Sequence, residues 1–145
     1  MSLPVSPADH AMAKFLSNMV LFFVPWLFLV AITSAVILIT PLPDGLLAFT
    51  LLVCVLIAVN HCICWCVTMT TETEGSFLIT MIGLNCLLNP ALYFLASSPD
   101  IGGLNRGATF VWTGTATTIL LCEVLAILLL LFGTLYFRSR KKVFF

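Results

Sequence analysis

The sequence predicts an all-α integral membrane protein, a bundle of four transmembrane helices in up-down order. Three observations carry that prediction. Hydrophobic residues make up 61% of the 145 positions and charged residues only 8%, with a mean hydropathy of +1.18. A soluble domain carries about 25% charged residues. The few charges also divide the chain into long apolar runs: Lys14 to Asp44 encloses 29 uncharged residues, Asp44 to Glu72 encloses 27, and Glu74 to Asp100 encloses 25. The interval from Arg106 to Arg138 holds one charge, Glu123. Finally, the connections are short, and short connections make consecutive helices antiparallel neighbours.

A spanning helix needs about 20 apolar residues at a rise of about 1.5 Å each. The runs place the four spans near 15–39, 46–69, 77–96 and 108–137. The first run is too long for a signal-peptide core and lacks a small-x-small cleavage pattern, so it is expected to be a retained helix. Pro25 and Pro90 are expected to kink the first and third spans. The fourth is long enough to tilt or to project past the lipid. No run alternates as a membrane β-strand does, which argues against a barrel.

The first link, Thr40-Pro41-Leu42-Pro43-Asp44-Gly45, reads as a turn from its prolines and glycine. The second runs from Thr70 to Ser76 and the third from Ser97 to Gly107. Nothing between the spans is large enough for a soluble module, so residues 1–145 read as a single domain without room for an ordinary catalytic unit. Arg138, Arg140, Lys141 and Lys142 follow the last span and Lys14 precedes the first. The positive-inside rule then makes both termini cytosolic. The basic tail is a stop-transfer anchor on this reading, with a further attraction to anionic lipid. The formal charge is zero and there is no basic stripe, which excludes nucleic acid as a partner. A plasma or secretory-pathway membrane is favoured, with an organellar membrane as the alternative.

Glu123 is the only formally charged residue inside an apolar run, with 16 uncharged residues before it and 14 after. A carboxylate near the bilayer midplane costs roughly 2.5–3.5 kcal/mol on insertion scales, so it seldom faces lipid without a partner. His61 lies 15 residues after Leu46 and Glu123 lies 15 after Ala108, which puts them at similar depth on two spans running in the same direction. Asn60 is adjacent, and Asn85 is midway along the third span. These four are the candidate intramembrane polar cluster. It reads either as interhelical glue or as a proton or ion path. One acid without a continuous polar stripe favours glue. A third option has Glu123 facing outward onto a partner's helix.

The six cysteines are Cys54, Cys62, Cys64, Cys66, Cys86 and Cys122, none in a link, so no external disulfide framework is expected. The densest stretch is His61-Cys62-Ile63-Cys64-Trp65-Cys66. Cys62 and Cys66 share a helix face. Packing as small apolar side chains is the favoured reading. Cys64 and Cys66, near a cytosolic helix end, are candidate acylation sites. Metal binding is opposed by the cost of thiolates in lipid. A quinone-linked redox site would carry Cys-x-x-Cys rather than Cys-x-Cys-x-Cys. No metal and no cofactor are expected, and no nucleophile–base pair is evident, so the chain is read as a non-enzyme.

Gly107, Gly114 and Ala116, among threonines, mark a small-residue face on the fourth span that suits close helix packing. Asn89-Pro90-Ala91-Leu92-Tyr93 matches the Asn-Pro-x-x-Tyr of rhodopsin-like receptors, which need seven helices, so the match is read as chance.

The layout also resembles the MARVEL-domain tetraspan family, which includes the myelin-and-lymphocyte protein, plasmolipin and chemokine-like-factor types. The third span ends in Ala91-Leu92-Tyr93-Phe94-Leu95-Ala96-Ser97, similar to the aromatic–Leu–Ala–Ser endings of that family. Ala108-Thr109-Phe110-Val111-Trp112, then Ala116-Thr117 and Glu123, resemble its Ala-Ala-x-Val-Phe start, its Ala-Ser or Ala-Thr step and its acid seven positions after that alanine. The resemblance implies a non-enzymatic protein that associates with membrane lipids and other integral membrane proteins during trafficking or at membrane appositions. The chain is accordingly read as a binding, assembly or trafficking partner of other membrane proteins, in a larger complex as an accessory subunit or as a homo-oligomer. A small channel or proton-conducting subunit is the alternative, and a membrane thiol redox protein is third.

Overall fold

A computed structural model describes residues 7–71, 74–102 and 109–140. Among them are five helices: α1 (Pro7–Ile39), α2 (Leu46–Thr71), α3 (Glu74–Ser97), the single turn α4 (Pro99–Gly102) and α5 (Gly114–Arg140). Four of these are long and apolar enough to cross a membrane. The protein is therefore an all-α, multi-pass integral membrane bundle. Helices serve because a bilayer offers no hydrogen-bond partners, so each span must satisfy its own backbone.

The predicted span limits shift at several ends. α1 begins at Pro7, before the predicted residue 15, because the helix continues into its polar lead. Proline suits a first turn, where its missing N–H would have had no partner, and Asp9 in that turn complements the helix dipole. α2 and α3 extend toward each other across most of the predicted link, of which Glu72 and Thr73 lie outside the described residues. Pro25 and Pro90 both lie within uninterrupted helices. The Thr40–Gly45 turn is present, tied by Leu46 N–H to Pro43 C=O (3.0 Å) and Leu47 N–H to Asp44 C=O (3.1 Å).

The largest correction is the start of the fourth span, which is Gly114 rather than residue 108. Thr109 to Thr113 are not helical. Thr113 is the N-cap, its Oγ1 accepting from Ala116 N–H at 3.2 Å. Trp112 Nε1 donates to Thr117 Oγ1 at 2.8 Å and anchors the approach. Hydropathy alone does not separate this apolar, β-branched lead from the helix it caps.

Short links predict each span beside the next, and this holds for α1–α2 and α2–α3. It does not hold for the third and fourth spans. α2 is the hub, packing most extensively on α5, then on α3, then on α1. α3 and α5 stay apart along most of their lengths. Between them lie α4 and the non-helical approach at residues 109–113. α3 and α5 meet at one end, where Leu52, Leu95, Ile101 and Ala116 form a buried cluster backed by Trp112, Ile119 and Leu120. Gly102 is required there, because a Cβ on it would overlap the Ala96 carbonyl oxygen.

Candidate functional site

α2 and α5 run in the same direction. Leu52 meets Ala116 in one cluster, and Cys66 meets Leu130 and Thr134 at the other end. On α5, Ala116, Leu120, Glu123, Ile127, Leu130 and Thr134 recur at alternating spacings of four and three, which keeps one stripe toward a neighbouring helix. Glu123 therefore sits on the inward stripe of α5, and it is 9% exposed. The register places it level with the turn 55–59 of α2, roughly one turn short of Asn60 and His61.

Small residues allow the close approach. Ala48, Ala58 and Cys62 are buried on α2 and Ala116 is fully buried on α5. At the Cys66 end the Thr134 hydroxyl lies 2.9 Å from Cys66 Sγ and 2.7 Å from the Leu130 carbonyl oxygen. Cys66 Sγ donates to the same carbonyl at 3.4 Å. This polar lock ties one end of the seam.

The four predicted polar residues do not converge. Glu123 lies in the α2–α5 seam, its Oε2 buried without a hydrogen bond, and it forms no ion pair among the described residues. Asn60 lines a groove of about 120 Å³ between α2 and α3, among Leu56, Val59, Ile63, Leu84 and Leu88, and its buried Oδ1 accepts no hydrogen bond. His61 turns to α1. Asn18 Nδ2 lies 3.4 Å from its Nε2 and donates to it when the ring proton is on Nδ1. Phe22 stacks on the imidazole at 3.6 Å between ring centroids, with 1° between the planes. Asn85 faces outward on α3. The packed register sets Glu123 roughly one turn short of His61 on α2, and the side chains leave their helices in different directions. One helix turn covers 360°, so adjacent residues such as Asn60 and His61 point about 100° apart.

Asn18 is a polar residue that counting depth from the span ends does not select. Its signal is a lone amide in the first apolar run, four residues before Phe22 and so on the same face. Trp26 is a second such contact: its Nε1 donates to the Cys54 carbonyl at 2.9 Å and fixes α1 on α2.

All six cysteines are free thiols. Cys54, Cys62, Cys64 and Cys66 are buried, and Cys86 and Cys122 are exposed. Burial of Cys64 and Cys66 within the bundle removes them from an acylating enzyme's reach unless the packing around them opens. Among the described residues, no three His, Cys, Asp or Glu side chains are grouped to hold a metal ion. Of the predicted small-residue face, Ala116 is buried in the core, whereas Gly114 faces open space, with nothing within 4 Å of where a Cβ would stand. Gly107 lies outside the described residues.

Compared with protein-family models, with curated proteins and with solved structures, the chain has no match.

Proposed function

We propose that this protein is a non-enzymatic assembly partner of other integral membrane proteins, with Glu123 as an acid kept inside protein. The observation that carries this reading is the divergence of the polar groups at mid-depth. A conduit needs successive polar groups along one route. Here Glu123, Asn60, His61 and Asn85 address the α5 seam, the α3 groove, α1 and the outside respectively. Polar side chains placed singly on different helix faces suit interhelical contacts. The layout shared with MARVEL-type tetraspans points the same way, toward lipids and other membrane proteins as partners in trafficking or assembly. Both termini are cytosolic on this reading, in a plasma or secretory-pathway membrane.

The second reading is a small proton-conducting subunit. It is favoured by one observation, the buried carboxyl oxygen of Glu123 that has no hydrogen-bond donor.

Purification in mild detergent tests the first reading. Stoichiometric integral membrane proteins are expected to accompany the wild type. Glu123→Gln, which keeps the shape and removes the charge, is expected to weaken that association, and Glu123→Leu to weaken it more. Full retention of every partner by both variants would contradict a partner-binding or structural acid.

A further inference from the structure

The outward face of α3 carries two asparagines where lipid would otherwise lie. Asn85 is midway along the helix and Asn89 is one turn on, both exposed. Neither side chain makes a hydrogen bond among the described residues. A primary amide in hydrocarbon has no water to satisfy it, so polar residues in spans normally face protein.

Their neighbours on that face are ordered. Leu78, Ile82, Asn85, Asn89, Leu92 and Ala96 follow one another at spacings of 4, 3, 4, 3 and 4. That is the alternation of a coiled-coil seam, and it holds the six within an arc of about 80° on a helix of 3.6 residues per turn. Leu92 is half-buried and the other five are exposed, Leu78 at 58% and Ile82 at 65%. Pro90 lies off this arc, so its ring does not obstruct the stripe. α3 packs on α2 through a flank about 110° round from the centre of the stripe, at Leu84, Leu88 and Ala91.

We propose that this stripe is a homodimer interface, covered by α3 of a second copy of this chain. The two copies insert with the same topology, so their α3 helices run parallel about a two-fold axis along the membrane normal. About such an axis each residue meets itself. Asn85 then faces Asn85 of the other copy, and Asn89 faces Asn89. A carboxamide is its own complement: its N–H donates to the second amide's oxygen while its oxygen accepts in return. Two stacked amide layers fix both partner and register, as a single polar layer does in soluble coiled coils. Leu78, Ile82 and Leu92 pack around them and Ala96 lets the helix ends close. The inference shares with the proposed function only the reading of the chain as an assembly protein, since it rests on a different helix face.

The test uses the full-length chain in phosphatidylcholine vesicles, half labelled with a donor and half with an acceptor fluorophore on terminal tags. Energy transfer is followed as lipid dilutes the protein. Wild type is expected to dimerise. Asn85→Leu and Asn89→Leu are each expected to weaken the dimer about threefold, which corresponds to the ~0.6 kcal/mol average of a polar interhelical contact. The double variant is expected to lose about tenfold. Because both side chains are exposed, the helix content of these variants is expected to be unchanged. Mild oxidation is expected to cross-link Ile82→Cys to a dimer well above the wild-type background, and Ile79→Cys, on the adjoining face, no more than that background. Three results would overturn the proposal. They are a monomeric wild type, a double Leu variant that dimerises like wild type, and equal cross-linking at positions 79 and 82. A wild type that is monomeric alone but loses a different membrane protein in the double variant would assign the face to that protein instead. None of these results touches the Glu123 reading, which is scored by co-purification.

Discussion

Leu52→Ala measures what the α2–α5 seam contributes. Leu52 is fully buried, in the cluster it forms with Leu95, Ile101 and Ala116. In water-soluble cores a buried Leu→Ala change costs about 2.7–5 kcal/mol. Part of that is transfer of three carbons, at about 0.8 kcal/mol each, or roughly 2.4 kcal/mol. That part vanishes here, because a helix released from the bundle enters hydrocarbon as apolar as leucine itself. What remains is lost packing around the cavity, roughly 0.3–2.6 kcal/mol by difference. Leu129, 66% exposed on α5, provides the reference. Leu129→Ala is expected to change stability by less than about 0.5 kcal/mol. Reversible unfolding in mixed micelles by increasing dodecyl sulfate, followed by tryptophan fluorescence and helix content, gives both values. Equal losses at the two positions would refute the seam as the packed core. A Leu52→Ala loss well above the upper figure would refute the claim that no transfer term operates.

Two further outcomes use the same preparation. Gly102→Ala places a methyl group against the Ala96 backbone and is expected to cost on the order of 1–3 kcal/mol by displacing α4 and Ile101; stability equal to wild type in the micelle titration would rule out that close approach. Mass spectrometry of the folded protein is expected to find no thioester at Cys64 or Cys66. Stoichiometric acylation there with the Thr134–Cys66 contact intact would contradict the packing of α2 against α5.

The fold class was legible because charge is expensive in lipid, so the spacing of twelve charged residues alone marks four spans. Depth was only partly legible: the count for Glu123 began at Ala108, whereas α5 begins at Gly114, and the packed register sets Glu123 roughly one turn short of His61. Rotation was not legible. These helices are apolar nearly all round, so no periodicity distinguishes an inward face from a lipid face. Asn85 therefore counted as a cluster member by depth, although it leaves α3 on the outward side. The start of α5 was hidden because Thr109–Thr113 is as apolar in its composition as many helices, and only the Thr113 cap contact marks the boundary. Helix order around α2 was hidden too, since link length limits which spans can touch but does not exclude a crossing. The contacts of Ala116 and Leu130 with α2, seven residues to either side of Glu123, are what fix the acid on the inward stripe.

Proton flux through the purified protein in liposomes, read with an internal pH-sensitive dye, separates an assembly role for Glu123 from conduction. The expected outcome is no flux above empty liposomes for wild type, with Glu123→Gln indistinguishable in flux but weaker in association. Robust wild-type flux that disappears in Glu123→Gln, with assembly intact, would overturn the assembly role.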